Sequence, residues 1–326
     1  MSNRTKVVLI GAGGWGDQHA RILDAHPDVE FAAVCGRTEA KTKTRAKKYG
    51  VRYYLDIEKL LEAEKPDLVH ISLPNTGHFE PTLKVIKAGY PIFAEKPLVY
   101  SMEEADTLIE EAAKRNLWFG INFNHHYSIP YQKAYQAIQD GKLGQLCHAT
   151  WKFTGGRPGD DDDFTGLIAM QSHGFNTLEH LCGPISSVMA ELAEITGRKH
   201  NSMSISLRFE NGAIGTLIGS NDSSYKYPRS HYQEILGEKG RIWIEDTSKR
   251  YELNTKDSES SEVWEAGYFN DSDRQFRTTF DKHYAEALRA FREGKEPPVQ
   301  ADRGRRVLEL AMACIESWKT GRRVET

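Results

Sequence analysis

The apolar, partly β-branched run Val7-Val8-Leu9-Ile10 leads straight into Gly11-Ala12-Gly13-Gly14-Trp15-Gly16. A short buried strand that ends in closely spaced glycines and resumes as a helix opens a strand-turn-helix unit able to hold a pyrophosphate. Gly11 would permit the tight turn, Gly13 would let the backbone approach the phosphates, and Gly16 would let the helix lie close to its strand. With Gly14 and Trp15 these residues form a candidate dinucleotide cradle at a helix N-terminus, where backbone N–H groups attract anions. The segment Trp15 to Ala25 reads as that helix.

The same alternation continues through the first third of the chain. Strands are expected at Lys6 to Ile10, Glu30 to Cys35, Leu68 to Ser72, Pro91 to Ala94 and Trp118 to Asn122. Helices are expected at Ala40 to Tyr49, Glu80 to Ala88 and Met102 to Arg115, the first two followed by Gly50 and Gly89 as C-terminal caps. Short apolar strands alternating with helices predict a doubly wound parallel sheet covered on both faces. Past Asn124 the texture changes to one helix, Tyr131 to Asp140, and then a succession of strands: Cys147 to Phe153, Val188 to Ile195, Ser202 to Phe209, Ala213 to Gly219, His231 to Leu236 and Arg241 to Glu245. Turns such as Glu210-Asn211-Gly212 join them as hairpins, so a second, α+β domain with a large, mostly antiparallel sheet is expected. The polar run Thr255 to Glu262 reads as a loop, and helices return at Thr278 to Arg292 and Gly304 to Thr320. The division predicted is residues 1–123 as the dinucleotide-binding domain and 124–326 as a substrate-binding and oligomerisation domain, whose last helices could pack back on the first.

A chain of 326 residues suits two domains better than one. Its formal charge of -3 gives no basic excess for nucleic acid or an acidic membrane surface, so neither is an expected partner. The four cysteines stand far apart with no Cys-x-x-Cys pair, which argues against a zinc ribbon or a thioredoxin-like site. No signal-peptide pattern and no run approaching ~20 apolar residues is seen, and a cytoplasmic location is expected.

Cofactor choice is read at the end of the second strand, Ala33-Val34-Cys35-Gly36-Arg37-Thr38. An acidic side chain there bonds the ribose 2′-hydroxyl of NAD and repels a 2′-phosphate. Gly36 takes that place, while Arg37, Thr38 and Lys41 can supply charge-assisted hydrogen bonds to a phosphate. NADP(H) is therefore the expected cofactor and NAD(H) the alternative, in which Arg37 only stacks on the adenine.

Three further segments complete the pattern: Leu73-Pro74-Asn75-Thr76-Gly77-His78, Ala94-Glu95-Lys96-Pro97-Leu98, and Ser172-His173-Gly174-Phe175-Asn176 ahead of Leu181-Cys182-Gly183. With the glycine turn they resemble the glucose-fructose oxidoreductase and inositol dehydrogenase family across nearly the whole chain. The resemblance implies that Pro74, Asn75, His78, Glu95 and Lys96 belong to the cofactor site. It further implies that Lys96, before a cis Pro97, reaches the reacting hydroxyl, and that His173 is the general acid or base. An ammonium can favour a developing alkoxide, and imidazole titrates near working pH. Asn176 stands where relatives commonly have a substrate-contacting aspartate, and His126 and Tyr127 lie near a position where they often have an arginine. One turn before His173, where many relatives carry an assisting aspartate, this chain has Ala169. The run Asp160 to Asp163 offers carboxylates from elsewhere, with Asp163 a candidate for sugar hydroxyls; no spacing supports a metal site.

The expected activity is hydride transfer between nicotinamide and a secondary alcohol or ketone of a sugar, polyol or inositol-like ring, by a homo-oligomer formed through the second sheet. Two alternatives stand beside it. One is a redox-assisted sugar epimerase, lyase or glycosidase that keeps its dinucleotide, and the other is a non-catalytic dinucleotide-sensing regulator.

Overall fold

The computed structural model describes residues 4–156, 163–195, 199–267 and 275–326. The chain divides into two compact units, Met1–Phe123 with Phe280–Arg306, and Asn124–Thr279 with Val307–Thr326.

The first unit is built on β1 (Thr5–Ile10), α1 (Gly14–Ala25), β2 (Val29–Cys35), α2 (Glu39–Tyr49), β3 (Arg52–Tyr54), α3 (Ile57–Glu64), β4 (Leu68–Ile71), α4 (Phe79–Lys87), β5 (Ile92–Glu95), α5 (Met102–Ala113) and β6 (Phe119–Asn122). The strands form one parallel sheet in the order β3-β2-β1-β4-β5-β6. Val7, Val8, Leu9, Val69 and Ile71 are completely buried, as strands of a sheet covered on both faces must be. The strand order reverses between β1 and β4, and the loops leaving these two strands are the glycine turn and the Ser72–Asn75 segment. Such a switch point is where open α/β sheets bind ligands. Local caps agree with the sequence: Ser101 accepts the Glu104 amide at 3.2 Å to start α5, and Gly50 closes α2 with a φ of 65°. The short β3 and α3 are absent from the expected elements, although Asp56 caps α3 and Leu60 and Leu61 form its buried face. β3 is three residues long and largely exposed, so no apolar alternation marks it. The chain at Val299–Ala301 runs beside β6, with Val299 accepting the Ile121 amide and Ala301 donating to Phe119, which ties this part of the C-terminal segment to the first unit.

The second unit holds α6 (Ile129–Gln139), β7 (Leu146–Thr154), α7 (Ser172–Cys182), β8 (Ile185–Ala193), β9 (Ser202–Phe209), β10 (Ile214–Ser220), β11 (His231–Gly237), β12 (Gly240–Glu245), β13 (Arg250–Thr255) and β14 (Ser261–Glu265). Of the later elements, most of α8 (Phe276–Arg292) falls in the first unit and most of α9 (Asp302–Thr320) in the second, followed by β15 (Val324–Glu325). The sheet has nine strands in the order β14-β13-β12-β11-β7-β10-β9-β8-β15, antiparallel except for β7 beside β10. Burial alternates residue by residue along β9, so one face is packed and the other faces out. The expected loop at Thr255 to Glu262 is shorter in the structure, residues 256–260, because Thr255 ends β13 and Ser261 begins β14. An exposed edge strand with polar residues on both faces has no apolar period to betray it. Among the described residues no helix is long and apolar enough to cross a membrane.

Candidate functional site

In the first unit the glycine turn is shaped by close backbone approaches. A Cβ on Gly11, which has a φ of 134°, would run into the Ser72 carbonyl, and one on Gly16 would run into the carbonyl of Gly11. Gly13 and Gly14 instead face open space, and Gly13 caps α1 without any side chain on the first amides. A pyrophosphate needs that combination of a tight turn, bare N–H groups and room beside them, so these residues fit a dinucleotide. Arg45 braces the turn from α2: its Nη2 donates to the carbonyls of Gly13 (3.0 Å) and Ala12 (3.4 Å), and its guanidinium pairs with Asp17. Lys48 and the Tyr49 hydroxyl, each 2.8 Å from Asp17, complete the clamp. Burial would raise the Asp17 pKa, but the bonds from Lys48 and Tyr49 and the charge of Arg45 hold it below the ordinary carboxylate value. Trp15 remains half exposed and stacks on Phe280 at 5.4 Å.

Gly36 closes the end of β2, and a Cβ there would meet Thr42 Oγ1 at 2.6 Å and the Ala12 methyl at 3.0 Å. A side chain at this position would press on the Thr42 hydroxyl and the Ala12 methyl. Arg37, Thr38 and Lys41 are all exposed beyond it. Beside β4, Pro74 is exposed and Asn75 half-buried, whereas His78 is buried and its Nε2–H donates to the Leu73 carbonyl at 3.2 Å. Burial pushes the His78 pKa down.

Glu95, the last residue of β5, is buried with both carboxylate oxygens engaged. Oε1 accepts from His19 Nε2 at 2.6 Å and from Asn122 Nδ2 at 2.5 Å, and Oε2 accepts the Lys96 amide at 3.1 Å. Asn122 Oδ1 in turn accepts from His283 Nδ1 at 2.7 Å. Burial alone would raise the Glu95 pKa, yet the His19 bond, the charges of His19 and Lys96 and the Asn122 bond bring it below the ordinary value. Lys96 itself is half-buried, and the Lys96–Pro97 peptide is cis, as the resemblance implied. Sequence reasoning missed His19, Asn122 and His283 as members of this group.

In the second unit, the single turn Asn124–Tyr127 carries His125 and His126 to different neighbours. His125 is buried and stacks face to face on His173, with ring centres 4.0 Å apart and planes within 16°. His126 accepts from Asn176 Nδ2 at 2.6 Å and stacks on Tyr131 at 4.9 Å, with His180 at 4.5 Å. Asn176 is fully buried, and its Oδ1 has no partner among the described residues. Tyr127 is buried as well. His173 lies in the first turn of α7, whose approach to β7 depends on Gly174: a Cβ there would meet Trp151 Nε1 at 2.5 Å. Gln171, two residues before His173, is committed to β7, accepting from Trp151 Nε1 at 3.0 Å and donating to the Phe153 carbonyl at 3.2 Å. Ala169 is fully buried in a π-helical turn, Gly166–Met170, and its carbonyl takes the Ser172 hydroxyl. Asp163 Oδ1 accepts from His200 Nδ1 at 2.6 Å, in a cluster with Phe164 and Trp318. Asp160, Asp161 and Asp162 lie outside the described residues. Although histidines crowd this unit, no group of metal-ligating side chains among the described residues could hold an ion.

Comparison with known proteins bears on both units. Residues 5–123 match the model of an oxidoreductase family with an NAD-binding Rossmann fold, and residues 131–243 match the GFO/IDH/MocA C-terminal domain. A myo-inositol 2-dehydrogenase of Thermotoga maritima is 25% identical, over 98% of this chain and 98% of the relative. A D-glucoside 3-dehydrogenase of Escherichia coli is 25% identical, over 99% and 98%. Among solved structures, levoglucosan dehydrogenase in complex with NADH and L-sorbose superposes with a TM-score of 0.88 at 18% identity, covering 99% of each chain. The glycine turn at the sheet's switch point and the two matched domains place the chain in the GFO/IDH/MocA oxidoreductase family.

Proposed function

We propose that the protein is an NAD(P)-dependent dehydrogenase acting on a secondary alcohol of a sugar, polyol or inositol-like ring, or on the corresponding ketone. The observation that carries this reading is Lys96, set by a buried carboxylate at the end of β5 within the unit that holds the dinucleotide turn. Two relatives similar along their whole length are named for dehydrogenation of myo-inositol and of a D-glucoside, which supports the substrate class. A dinucleotide whose pyrophosphate rested on Gly11 to Gly16 would supply, in its nicotinamide, the two-electron acceptor for the carbon-bound hydrogen. The Lys96 ammonium donates to the alcohol oxygen and stabilises the charge that develops as its proton leaves. His173 takes that proton, and in the reverse direction returns it to the carbonyl oxygen. Its stacking on His125 and the close seat provided by Gly174 fix the ring. Asn176 Oδ1, buried and without a partner among the described residues, suits a neighbouring substrate hydroxyl, with His126 bonded to its amide nitrogen and Tyr127 a further candidate. The outward face of the nine-stranded sheet is the surface on which a second copy would sit, and the mass in solution decides it.

Lys96→Ala and His173→Ala are each expected to reduce turnover by ~10² or more, the usual worth of a positioned acid-base or charge-stabilising group, while dinucleotide binding is largely kept. Near-normal rates in both variants would overturn the assignment.

For the cofactor, the reading is a preference for NADP(H). Gly36 supplies no acid for the ribose hydroxyls, and Arg37 and Lys41 are exposed cations with no partner among the described residues. NADPH should bind about tenfold tighter than NADH, a difference of about 1.4 kcal/mol. Titration of each by fluorescence checks this, and tighter NADH binding would reverse it.

A further inference from the structure

The hydrogen bonds around Glu95 all run one way. Asn122 Nδ2 can only donate to the carboxylate, so its Oδ1 must be the acceptor, and His283 Nδ1 therefore carries the proton it shares. His19 Nε2 and the Lys96 amide also donate to Glu95. Donors from α1, β6 and the backbone thus converge on a single buried anion, with α8 supporting from behind.

A buried carboxylate is costly unless it is paired and hydrogen-bonded. The titratable groups that face this cluster are His19 from α1, His70 from β4, His78 at the start of α4, His283 from α8, and Lys96. Burial holds His283 at about 3 and His70 far below its ordinary value, and it lowers His78 too. None of these three is therefore a counter-charge near neutral pH. The charge of His19 and, after it, that of Lys96 act on Glu95.

We propose that Glu95 is a positioning residue for Lys96: its carboxylate, gripped by His19 and Asn122, fixes the backbone at Lys96 and keeps the lysine side chain in its ammonium form. Glu95 then acts through Lys96, with both oxygens turned into the protein, instead of through a direct contact with the cofactor. This rests on the reading of Lys96 given above, because an ammonium is the form that donates to the alcohol oxygen.

The test is competitive acetylation of the full-length protein with trace acetic anhydride, reading Lys96 and the exposed Lys41 from the same digest by mass. Only a neutral amine reacts. In Glu95→Gln the labelling of Lys96 relative to Lys41 should rise about tenfold at a fixed pH near 8, equivalent to one unit in the amine equilibrium. In Glu95→Asp, which restores the charge, labelling should return towards that of the wild type. In the wild type itself, Lys96 labelling should still climb between about pH 8 and pH 10, as for a charged lysine; this holds the proposal to account even if Glu95→Gln does not fold. Unchanged labelling in a folded Glu95→Gln, or a wild-type plateau already reached at about pH 8, would overturn it. Labelling needs no substrate, so this outcome is separate from the turnover of Lys96→Ala: lost turnover with unchanged labelling refutes the role of Glu95 alone, while retained turnover refutes the role of Lys96 and with it the purpose proposed here.

Discussion

Glu64 shows how much one buried carboxylate can tie together. It ends α3, is only 2% exposed, and accepts from Arg52 through both oxygens, from the Tyr54 hydroxyl at 2.7 Å, and from Lys6 at 3.1 Å. Burial would raise its pKa, but the bonds from Arg52, Tyr54 and Lys6 and the charge of Arg52 bring it down to about 2. Because the folded value lies below the unfolded one, the stabilisation is complete above about pH 4.5 and disappears as pH falls towards about 2. Glu64→Gln should cost on the order of 2–3 kcal/mol at pH 7, and the gap from the wild type should narrow in acid. Urea unfolding at the two pH values checks this; an equal gap at both would contradict it. The sequence shows such residues unequally. Gly11 and Gly16 are legible because they sit in a contiguous motif whose spacing has one physical use, whereas Lys96 enters only through the resemblance carried by its Glu-Lys-Pro segment. Glu64 and the group around Glu95 are not, because their partners arrive from far along the chain: His19 is 76 residues from Glu95, and His283 is 161 from Asn122. A single sequence carries no sign of such pairings.

At the level of elements, α7 is the informative case. Its sequence, with His173 and Asn176 one turn apart, already places both side chains on one face. What the sequence does not reveal is the π-helical turn Gly166–Met170 that precedes it, which changes the residue count per turn. Four residues before His173 stands Ala169, inside that π-helical turn, buried and without a polar side chain, and Gln171 is spent on Trp151 and Phe153. The stacked His125 comes instead from the turn after β6, a relation invisible in one dimension. Gly174 sets the distance of α7 from β7. Gly174→Ala would force a methyl against the Trp151 indole and should cost about 1–3 kcal/mol, as overpacking does, despite the better helix propensity of alanine. Thermal unfolding measures the cost, and a neutral or stabilising result would mean that the helix is not held this closely. The same scale accounts for the missed β14, whose register with β13 is regular although its residues are mostly polar.

Over the whole molecule, the parallel first sheet was readable from alternating apolar and amphipathic runs, and the second sheet from its hairpin turns. The strand order of the nine-stranded sheet was not, since nothing local specifies that β7 pairs with both β10 and β11. The proposed hydride chemistry depends on Lys96 in the first unit and on His173 in the second, and each residue is tested by its own variant. The direct measurement is formation of reduced nicotinamide by the purified protein with a panel of inositols, sugars, glucosides and anhydrosugars, run beside Lys96→Ala and His173→Ala. The account predicts an absorbance increase with at least one of these alcohols, lost by ~10² or more in both variants while they still bind the dinucleotide. Turnover that both variants retain at near-normal rates would contradict it.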